Sequence, residues 1–506
     1  MLVRALVLLL ATVVACLPAA LRADWDGTEG RRVQIALEML RSGDWMVPTL
    51  GGEPTWAKPP LHYWLLAAVG SVFGDGWIAM RIPSVLGAFG AAFVGGELLR
   101  RWFGPRAGWL LAFGVLCSPL VLFVWPTAEI DPLFASLTGV SLWLLATGVA
   151  RERARLVLAS GVCAGLAFLQ KGPPFFLFAC GAYLVWARHR RLRFAAWHFV
   201  PMLVVVAAWF VPLWVWRVDP GQMLAVANEE SVGRIATFRW HHVRETPAFW
   251  LRAVFVQLPF VLWCFWEWRG ARNARMGADD VTLRMCSGAA VLAVALLTFF
   301  PARPTRYLLP NVLLFTFAVA PAVAHFAGHR GSVPRFARAV LWGFGVAGAI
   351  GLLVVPFVPR AGATAVGLAA AAAVLPLFAR TPRRVVLAAL LLPVCAAWTV
   401  GLERSLRWHE GKDARSAIGR LLRAELDAFG ATEDLATWGH VDSPTLLATG
   451  LLPPGDEQRR APPTARWLLH EHVDWQVFRS ARYAARLRMR TPYKLFLVHE
   501  RVDEPR

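Results

Sequence analysis

Lysine is scarce in this chain. Of 53 basic residues only four are lysines, namely Lys58, Lys171, Lys412 and Lys494. Two of them precede prolines, in Lys58-Pro59-Pro60 and Lys171-Gly172-Pro173-Pro174. Because arginine serves nearly everywhere else, these two lysines on rigid turns indicate a specific requirement for a compact point charge.

Cysteine is missing from the polar regions. All seven cysteines lie inside apolar segments. This placement excludes a disulfide framework in the loops, and the spacing fits no zinc site. The chain also lacks an internal repeat and charged mid-membrane helices, both of which are frequent in transporters.

Long apolar runs are abundant instead. The 506 residues are 57% hydrophobic and include 25 tryptophans, which is typical of a polytopic membrane protein. A net charge of +20 would indicate a nucleic-acid partner in a soluble chain. Here the arginines cluster in short loops between spans, so we expect contact with membrane lipids and no nucleic acid.

The apolar runs predict thirteen membrane spans, at 2–21, 78–98, 107–124, 133–150, 155–170, 173–187, 195–216, 250–268, 283–300, 306–327, 339–358, 362–379 and 383–402. The first run also has features of a cleaved signal peptide. The alternation of arginine-rich and other loops requires one span before residue 22, so we favour a retained first span. Alternate connections carry arginine clusters, which places them and the N-terminus in the cytoplasm. The first loop, the turn at 125–132, the Lys171 turn, the 217–249 loop, the 301–306 turn and the C-terminal tail then share the outer face.

The predicted fold is an all-α polytopic membrane protein with a small outer domain. Residues 1–403 form the transmembrane domain, in which 22–77 are the first outer loop, and residues 404–506 form a soluble α/β domain. In the latter we expect helices at 413–429 and 475–487 and strands at 466–469 and 494–498.

The first outer loop predicts two surface helices. Asp26 with Glu29 three residues later is a capping-box pattern for a helix that ends at Ser42-Gly43-Asp44. Gly51-Gly52 and Pro54 predict a turn. The apolar run at 61–73 is too short to cross a bilayer, so a helix at the membrane surface is expected.

Two carboxylates on the predicted outer face are candidates for catalysis, Glu29 and Asp131. Each also has a structural interpretation, since Glu29 fits a capping box and Asp131 before Pro132 fits a helix start. Their common location with the two lysines favours function. Asp24-Trp25-Asp26 resembles a metal-binding Asp-x-Asp, a short pattern that is common by chance.

Five cations are predicted on the outer side against the charge bias: Lys58, Lys171, Arg234, Arg303 and Arg306. Snorkelling to the interface accounts for Arg303. A phosphate is the natural partner for converging lysines and arginines.

These residues belong to motifs in a recognisable order. They are Thr28-Glu29-Gly30-Arg31, Glu38-Met39-Leu40, Ser42-Gly43-Asp44-Trp45, Val47-Pro48, Lys58-Pro59-Pro60-Leu61, Tyr63-Trp64, Arg81-Ile82-Pro83-Ser84, Asp131-Pro132, Lys171-Gly172-Pro173, Arg234, Pro247, Phe249-Trp250 and Tyr307-Leu308-Leu309-Pro310. In this order they resemble the aminoarabinose transferase and protein O-mannosyltransferase superfamily of GT-C glycosyltransferases. The likeness covers residues 1–320.

The resemblance implies a GT-C fold and transfer of a sugar, with inversion, from a polyprenyl-phosphate donor to a lipid, glycan or protein acceptor. It implies that Lys58, Arg234 and Tyr307 bind the donor phosphate, to which we add Lys171 and Arg306. Glu29 and Asp131 map onto the family's acidic positions.

Two departures from the family pattern matter. Thr28 stands where the family usually has Asp, so Asp26 is a candidate substitute. Ala57 stands where aminoarabinose transferases carry a metal-binding Glu, so no metal is predicted there.

Two other classes remain as alternatives. A polytopic lipid or glycan transporter or flippase would explain many spans and outer cations. A receptor with an outer sensor domain offers no reason for Lys58-Pro59-Pro60.

Overall fold

The computed structural model describes residues 1–20, 28–188, 194–216, 244–257, 281–300, 303–328 and 335–354, then shorter stretches between 366 and 501. Two compact units divide the chain. The first comprises 1–21, 57–62 and 81–403, and the second comprises 22–56, 63–80 and 404–506.

Helices dominate the described chain. Numbered in chain order they are α1 Leu2–Ala20, α2 Glu29–Ser42, α3 Leu61–Phe73, α4 Trp77–Phe103, α5 Pro105–Leu116, α6 Pro119–Val124, α7 Ile130–Ala150, α8 Ala154–Lys171, α9 Pro174–Arg188, α10 Ala195–Trp216, α11 Thr246–Phe255, α12 Val281–Leu297, α13 Leu309–Gly328, α14 Arg335–Val354 and α15 Ala414–Ala428. Two 3₁₀ helices span Thr305–Leu308 and Leu375–Phe378.

Membrane-spanning length is reached by five segments of the described chain: Trp77–Phe103, Ile130–Ala150, Ala154–Lys171, Ala195–Val215 and Thr305–Ala327. Each coincides with a predicted span. The predicted span 107–124 is two helices, α5 and α6, because Pro119 lacks an amide proton and starts a new helix after Ser118. The total of thirteen spans stays a prediction.

Small residues let the helices of the first unit approach closely. A Cβ at Gly181 of α9 would lie 2.2 Å from the carbonyl oxygen of Gly288 in α12, and one at Gly161 of α8 would lie 2.1 Å from that of His198 in α10. Close packing of this kind replaces the hydrophobic effect as the force that joins helices in lipid. The buried core runs through α7, α8, α9, α12 and α13.

In the second unit, α2 begins at Glu29, and Thr28 at its N-cap makes no side-chain cap bond. The capping-box interpretation of Glu29 is therefore wrong, since Glu29 is the first helical residue and not the third. Gly43 ends α2 with φ +70°, a conformation that favours glycine.

Strands β1 (Thr49–Leu50) and β2 (Glu53–Pro54) form the predicted turn as an antiparallel pair. The Glu38 carboxylate accepts hydrogen bonds from the backbone nitrogens of Gly51 and Gly52, at 2.8 and 3.1 Å, and from the Thr49 hydroxyl at 2.9 Å. One helical side chain thereby fixes the hairpin.

The rest of the second unit contains α15 and a five-stranded sheet in the order β4-β3-β5-β7-β6. Its strands are β3 Leu435–Trp438, β4 Gly455–Asp456, β5 Trp467–Glu471, β6 Tyr483–Arg490 and β7 Leu495–Arg501. The predicted helix at 413–429 and strands at 466–469 and 494–498 are confirmed to within a few residues. The predicted helix at 475–487 is wrong over 483–487, because Tyr483–Arg490 pairs antiparallel with β7.

Candidate active site

A rigid turn at 125–129 precedes α7. The Trp125 indole nitrogen donates to the Ser84 carbonyl oxygen at 2.9 Å, and the Ser84 hydroxyl donates to the Thr127 carbonyl oxygen at 2.6 Å. All three side chains are buried. These bonds to α4 fix the backbone from which the acidic start of α7 projects.

Asp131 stands in the first turn of α7 and pairs with two cations. One carboxylate oxygen contacts the Lys171 ammonium at the end of α8, and the other lies 3.1 Å from the Arg306 Nε. Arg306 also lies 3.6 Å from a carboxylate oxygen of Glu129. The Asp131 and Lys171 side chains are only 8% and 11% exposed, so these are ion pairs shielded from water.

Asp131 lies at the start of α7, as its position before Pro132 predicts, but it is not the N-cap residue. Glu129 occupies the N-cap position of α7 and makes no side-chain cap bond, and Asp131 is the second helical residue. Its carboxylate binds side chains from two other elements, so the role of Asp131 is tertiary.

Tyr307 completes this group. It lies in the 3₁₀ helix Thr305–Leu308, next to Arg306, and its ring centroid is 4.1 Å from the Lys171 Nζ. The Lys171 ammonium thus meets a carboxylate and an aromatic face together. We call Glu129, Asp131, Lys171, Arg306 and Tyr307 the charged cluster.

The Lys58-Pro59-Pro60 segment borders the same turn. A Cβ at Gly172 would lie 3.9 Å from Cγ of Pro59, so the two proline turns are in contact. The Lys58 ammonium donates to the Ala57 carbonyl oxygen at 2.7 Å. Both lysines predicted to be functional therefore belong to neighbouring turns of the first unit.

Buried hydrogen bonds join these turns. His62, fully buried in the first turn of α3, has Nε2 2.8 Å from the Ala128 carbonyl oxygen and Nδ1 2.9 Å from Nε2 of Gln170. The same Gln170 nitrogen donates to the Ile130 carbonyl oxygen at 3.2 Å.

His62, Gln170 and the pairing of Glu129 could not be identified from the sequence. The available signal was weak: His62 and Gln170 are polar residues within apolar runs, each close to one of the rare lysines.

Other predicted residues stand outside this cluster. Glu29 is fully buried at the start of α2, in the second unit. Asp26 and Arg234 lie outside the described residues.

The snorkelling interpretation of Arg303 is wrong. The Arg303 residue is only 6% exposed, and its guanidinium donates to the Thr246 hydroxyl at 3.1 Å and to the Thr298 carbonyl oxygen at 3.3 Å. It therefore joins α11 to the end of α12 through protein contacts.

No group of three or more His, Cys, Asp or Glu side chains suited to a metal ion occurs within the part of the chain that the structure describes. The predicted absence of a metal beside Ala57 stays a prediction.

Known proteins with a similar sequence or fold were compared with this chain. Residues 57–216 match the family model described as dolichyl-phosphate-mannose-protein mannosyltransferase. An undecaprenyl phosphate-alpha-4-amino-4-deoxy-L-arabinose arabinosyl transferase of Edwardsiella ictaluri is 28% identical over 355 residues, which are 66% of this chain and 62% of the relative. Another from Pseudomonas savastanoi is 33% identical over 205 residues, 38% of this chain and 37% of the relative. The chain thus matches less than two thirds of the length of these relatives.

Among solved structures, ArnT from Cupriavidus metallidurans bound to undecaprenyl phosphate superposes with a TM-score of 0.73 and 20% identity, covering 98% of this chain and 97% of that one. This likeness shows the GT-C fold, and the apolar helices of the described chain are those of a multi-pass membrane protein. Within that class, the chain is similar in sequence to dolichyl-phosphate-mannose-protein mannosyltransferases and arabinosyl transferases, and its fold is similar to that of ArnT, as its motif order predicts.

Proposed function

We propose that this protein is an inverting glycosyltransferase that moves a sugar from a polyprenyl-phosphate donor to a lipid, glycan or protein acceptor. The observation that carries the proposal is the charged cluster. Two cations and two carboxylates from three elements meet at one end of a membrane bundle, beside the turn that bears Lys58. The relatives with this fold are named as transferases, one of them bound to undecaprenyl phosphate, so nothing favours the transporter alternative.

The charge balance assigns a special role to Lys58. Within the charged cluster, Lys171 and Arg306 are matched by Glu129 and Asp131, so these four residues are together neutral. A phosphate brought to this end of the bundle needs further positive charge, which Lys58 and Arg234 supply in the proposal. Stabilising the departing phosphate electrostatically is expected to be the largest catalytic term.

The carboxylates are proposed to have two roles, which are to hold the cations in place and to accept a proton. Both oxygens of Asp131 are engaged by cations, so Asp131 is proposed to hold Lys171 and Arg306 in place. The acceptor hydroxyl also needs a carboxylate to accept its proton, a role that typically contributes about 10²–10⁴-fold. The family resemblance makes Glu29, Asp131 and Asp26 the candidates for that role. Attack opposite the departing phosphate inverts the anomeric carbon.

The geometry of α7 supports an active site on the outer face. Asp131 stands at the first turn of this 21-residue helix and Arg151 directly follows its end. At 1.5 Å per residue the helix is about 30 Å long, the thickness of the hydrocarbon core. Since the arginine-rich ends are proposed to be cytoplasmic, the charged cluster and the C-terminal domain would be extracytoplasmic.

Transfer from a labelled donor tests the proposal. Membranes containing the wild-type protein should convert radiolabelled polyprenyl-phosphate sugar into a labelled product of inverted configuration. Lys58→Ala should abolish the product, because the phosphate loses a cation that the proposal assigns to it. Arg106→Ala is the matched control, since Arg106 is an exposed arginine in the first turn of α5 on the predicted cytoplasmic side. Unaltered product formation by the Lys58 variant would contradict the proposal.

A further inference from the structure

Three short segments of the first unit meet around two buried polar side chains. They are the segment from Lys58 to His62, the turn from Ala128 to Asp131, and the end of α8 at Gln170 and Lys171. His62 bonds to Ala128, and Gln170 bonds to both His62 and Ile130. The three segments that carry Lys58, Asp131 and Lys171 are therefore tied to one another by these two side chains.

The hydrogen-bond pattern fixes the chemistry of the pair. Gln170 donates through its amide nitrogen to His62 Nδ1, so His62 Nδ1 accepts and His62 Nε2 carries the proton that it donates to Ala128. Reversing the Gln170 amide would place its oxygen against the Ile130 carbonyl oxygen, which is repulsive. The arrangement is thus directional, with one tautomer and one amide orientation.

His62 and Gln170 are close in sequence to the charged residues of the proposed site. His62 follows Lys58 by four residues, Gln170 immediately precedes Lys171, and the two acceptor carbonyls flank Glu129. Both side chains are fully buried, so water cannot replace a lost bond at low cost. A shift of either side chain moves a backbone segment that holds a charge.

We infer that His62 and Gln170 are positioning residues that set the spacing of Lys58, Asp131 and Lys171 for one phosphate group. This inference rests on the proposed function, because it names what holds that site together. Neither side chain is assigned contact with the donor. Their effect passes through the lysines and Asp131.

Substitutions can remove the two His62 bonds separately. His62→Leu removes both at similar volume. His62→Gln places an amide nitrogen near the position of Nε2 and keeps the bond to Ala128, whereas His62→Asn places an amide oxygen near Nδ1 and keeps the bond from Gln170. Gln170→Met removes all bonds of that side chain.

A matched control exists in the same helix pair. The Ser141 hydroxyl of α7 donates to the Ser160 carbonyl oxygen of α8 at 2.9 Å, and Ser141 is fully buried. This bond joins α7 to α8 nearer their other ends. Ser141→Ala therefore costs a buried hydrogen bond between these helices without touching the turns near Lys58.

The measurement is the Kd for undecaprenyl phosphate in detergent micelles, together with the melting temperature of each variant. We expect His62→Leu and Gln170→Met to weaken binding by about tenfold or more, since a displacement of about 1 Å can already cost about 10²-fold in the rate of a positioned reaction. His62→Gln and His62→Asn should each recover part of the affinity. Ser141→Ala should lower the melting temperature and bind as the wild type does.

Two results would overturn the inference while leaving the proposed function intact. One is wild-type affinity in His62→Leu. The other is an affinity loss in Ser141→Ala equal to that in His62→Leu, which would show that only stability matters. If the wild type itself does not bind undecaprenyl phosphate, the proposed function fails and the inference falls with it.

Discussion

Replacing Asp131 by Asn tests the charged cluster most directly. The change removes one negative charge and little volume, and it leaves Lys171 next to a neutral amide. Removing one partner of a buried ion pair costs about 3–5 kcal/mol. Arg306 is 33% exposed and keeps Glu129 at 3.6 Å, while Lys171 keeps the Tyr307 ring at 4.1 Å. We therefore expect the lower end, about 3 kcal/mol of unfolding free energy.

The assay is a double-mutant cycle on purified protein in detergent, read by thermal or denaturant unfolding. The variants are Asp131→Asn, Lys171→Met and the double substitution. Because the double variant buries neither charge, it should be more stable than Asp131→Asn alone. A coupling energy of about 1–3 kcal/mol is the range for residues in one ion-pair network.

Two outcomes would refute this reasoning. If the single and double effects simply add, the pair is not coupled. If Asp131→Asn is as stable and as active as the wild type, the helix-cap interpretation of Asp131 returns, because Asn caps a helix as well as Asp does.

Two further predictions concern the scaffold. Gly181→Leu should abolish the folded yield in membranes, because its Cβ would lie 2.2 Å from the Gly288 backbone. Gly90→Ala should be tolerated, since no atom lies within 4 Å of a Cβ at that position. A normal yield of the Gly181 variant in size-exclusion chromatography would contradict this packing. Glu38→Gln should cost about 1–3 kcal/mol in local stability of the β1–β2 hairpin, because an amide nitrogen would replace one carboxylate oxygen and face the backbone donor of either Gly51 or Gly52. Faster hydrogen exchange at these two amides is the expected signal, and unchanged protection would argue against it.

The sequence predicted much of the membrane part because its signals are local. Apolar run length predicted α4, α7, α8 and α10 to within a few residues, and a glycine directly follows α4 and α8. The break between α5 and α6 was missed, although Pro119 marks it, because mean apolarity does not change there. The strand Tyr483–Arg490 was taken as helix because its pairing with β7 is a non-local interaction that overrides local periodicity.

For the site, the sequence identified residue types better than their roles. The rare lysines led to Lys58 and Lys171, but their partners depend on which helix ends meet in space. The role of Asp131 was open from the sequence, because an Asp-Pro pair fits both a helix start and a functional carboxylate. Only the positions of Lys171 and Arg306 decide between these two roles. Arg303 was assigned to the membrane interface because its contact with Thr246 of another helix leaves no pattern in the local sequence.

The location of the charged cluster follows from the topology of one helical hairpin. Helices α7 and α8 are consecutive and packed along their length, so the N-terminus of α7 and the C-terminus of α8 lie at the same membrane face. A helix N-terminus favours an acidic side chain and a C-terminus favours a basic one, and Asp131 and Lys171 occupy those two positions. Each charge is therefore stabilised by the dipole of its own helix as well as by the ion pair. The two charges are tolerated in a membrane protein because Asp131 and Lys171 pair with each other at these helix ends.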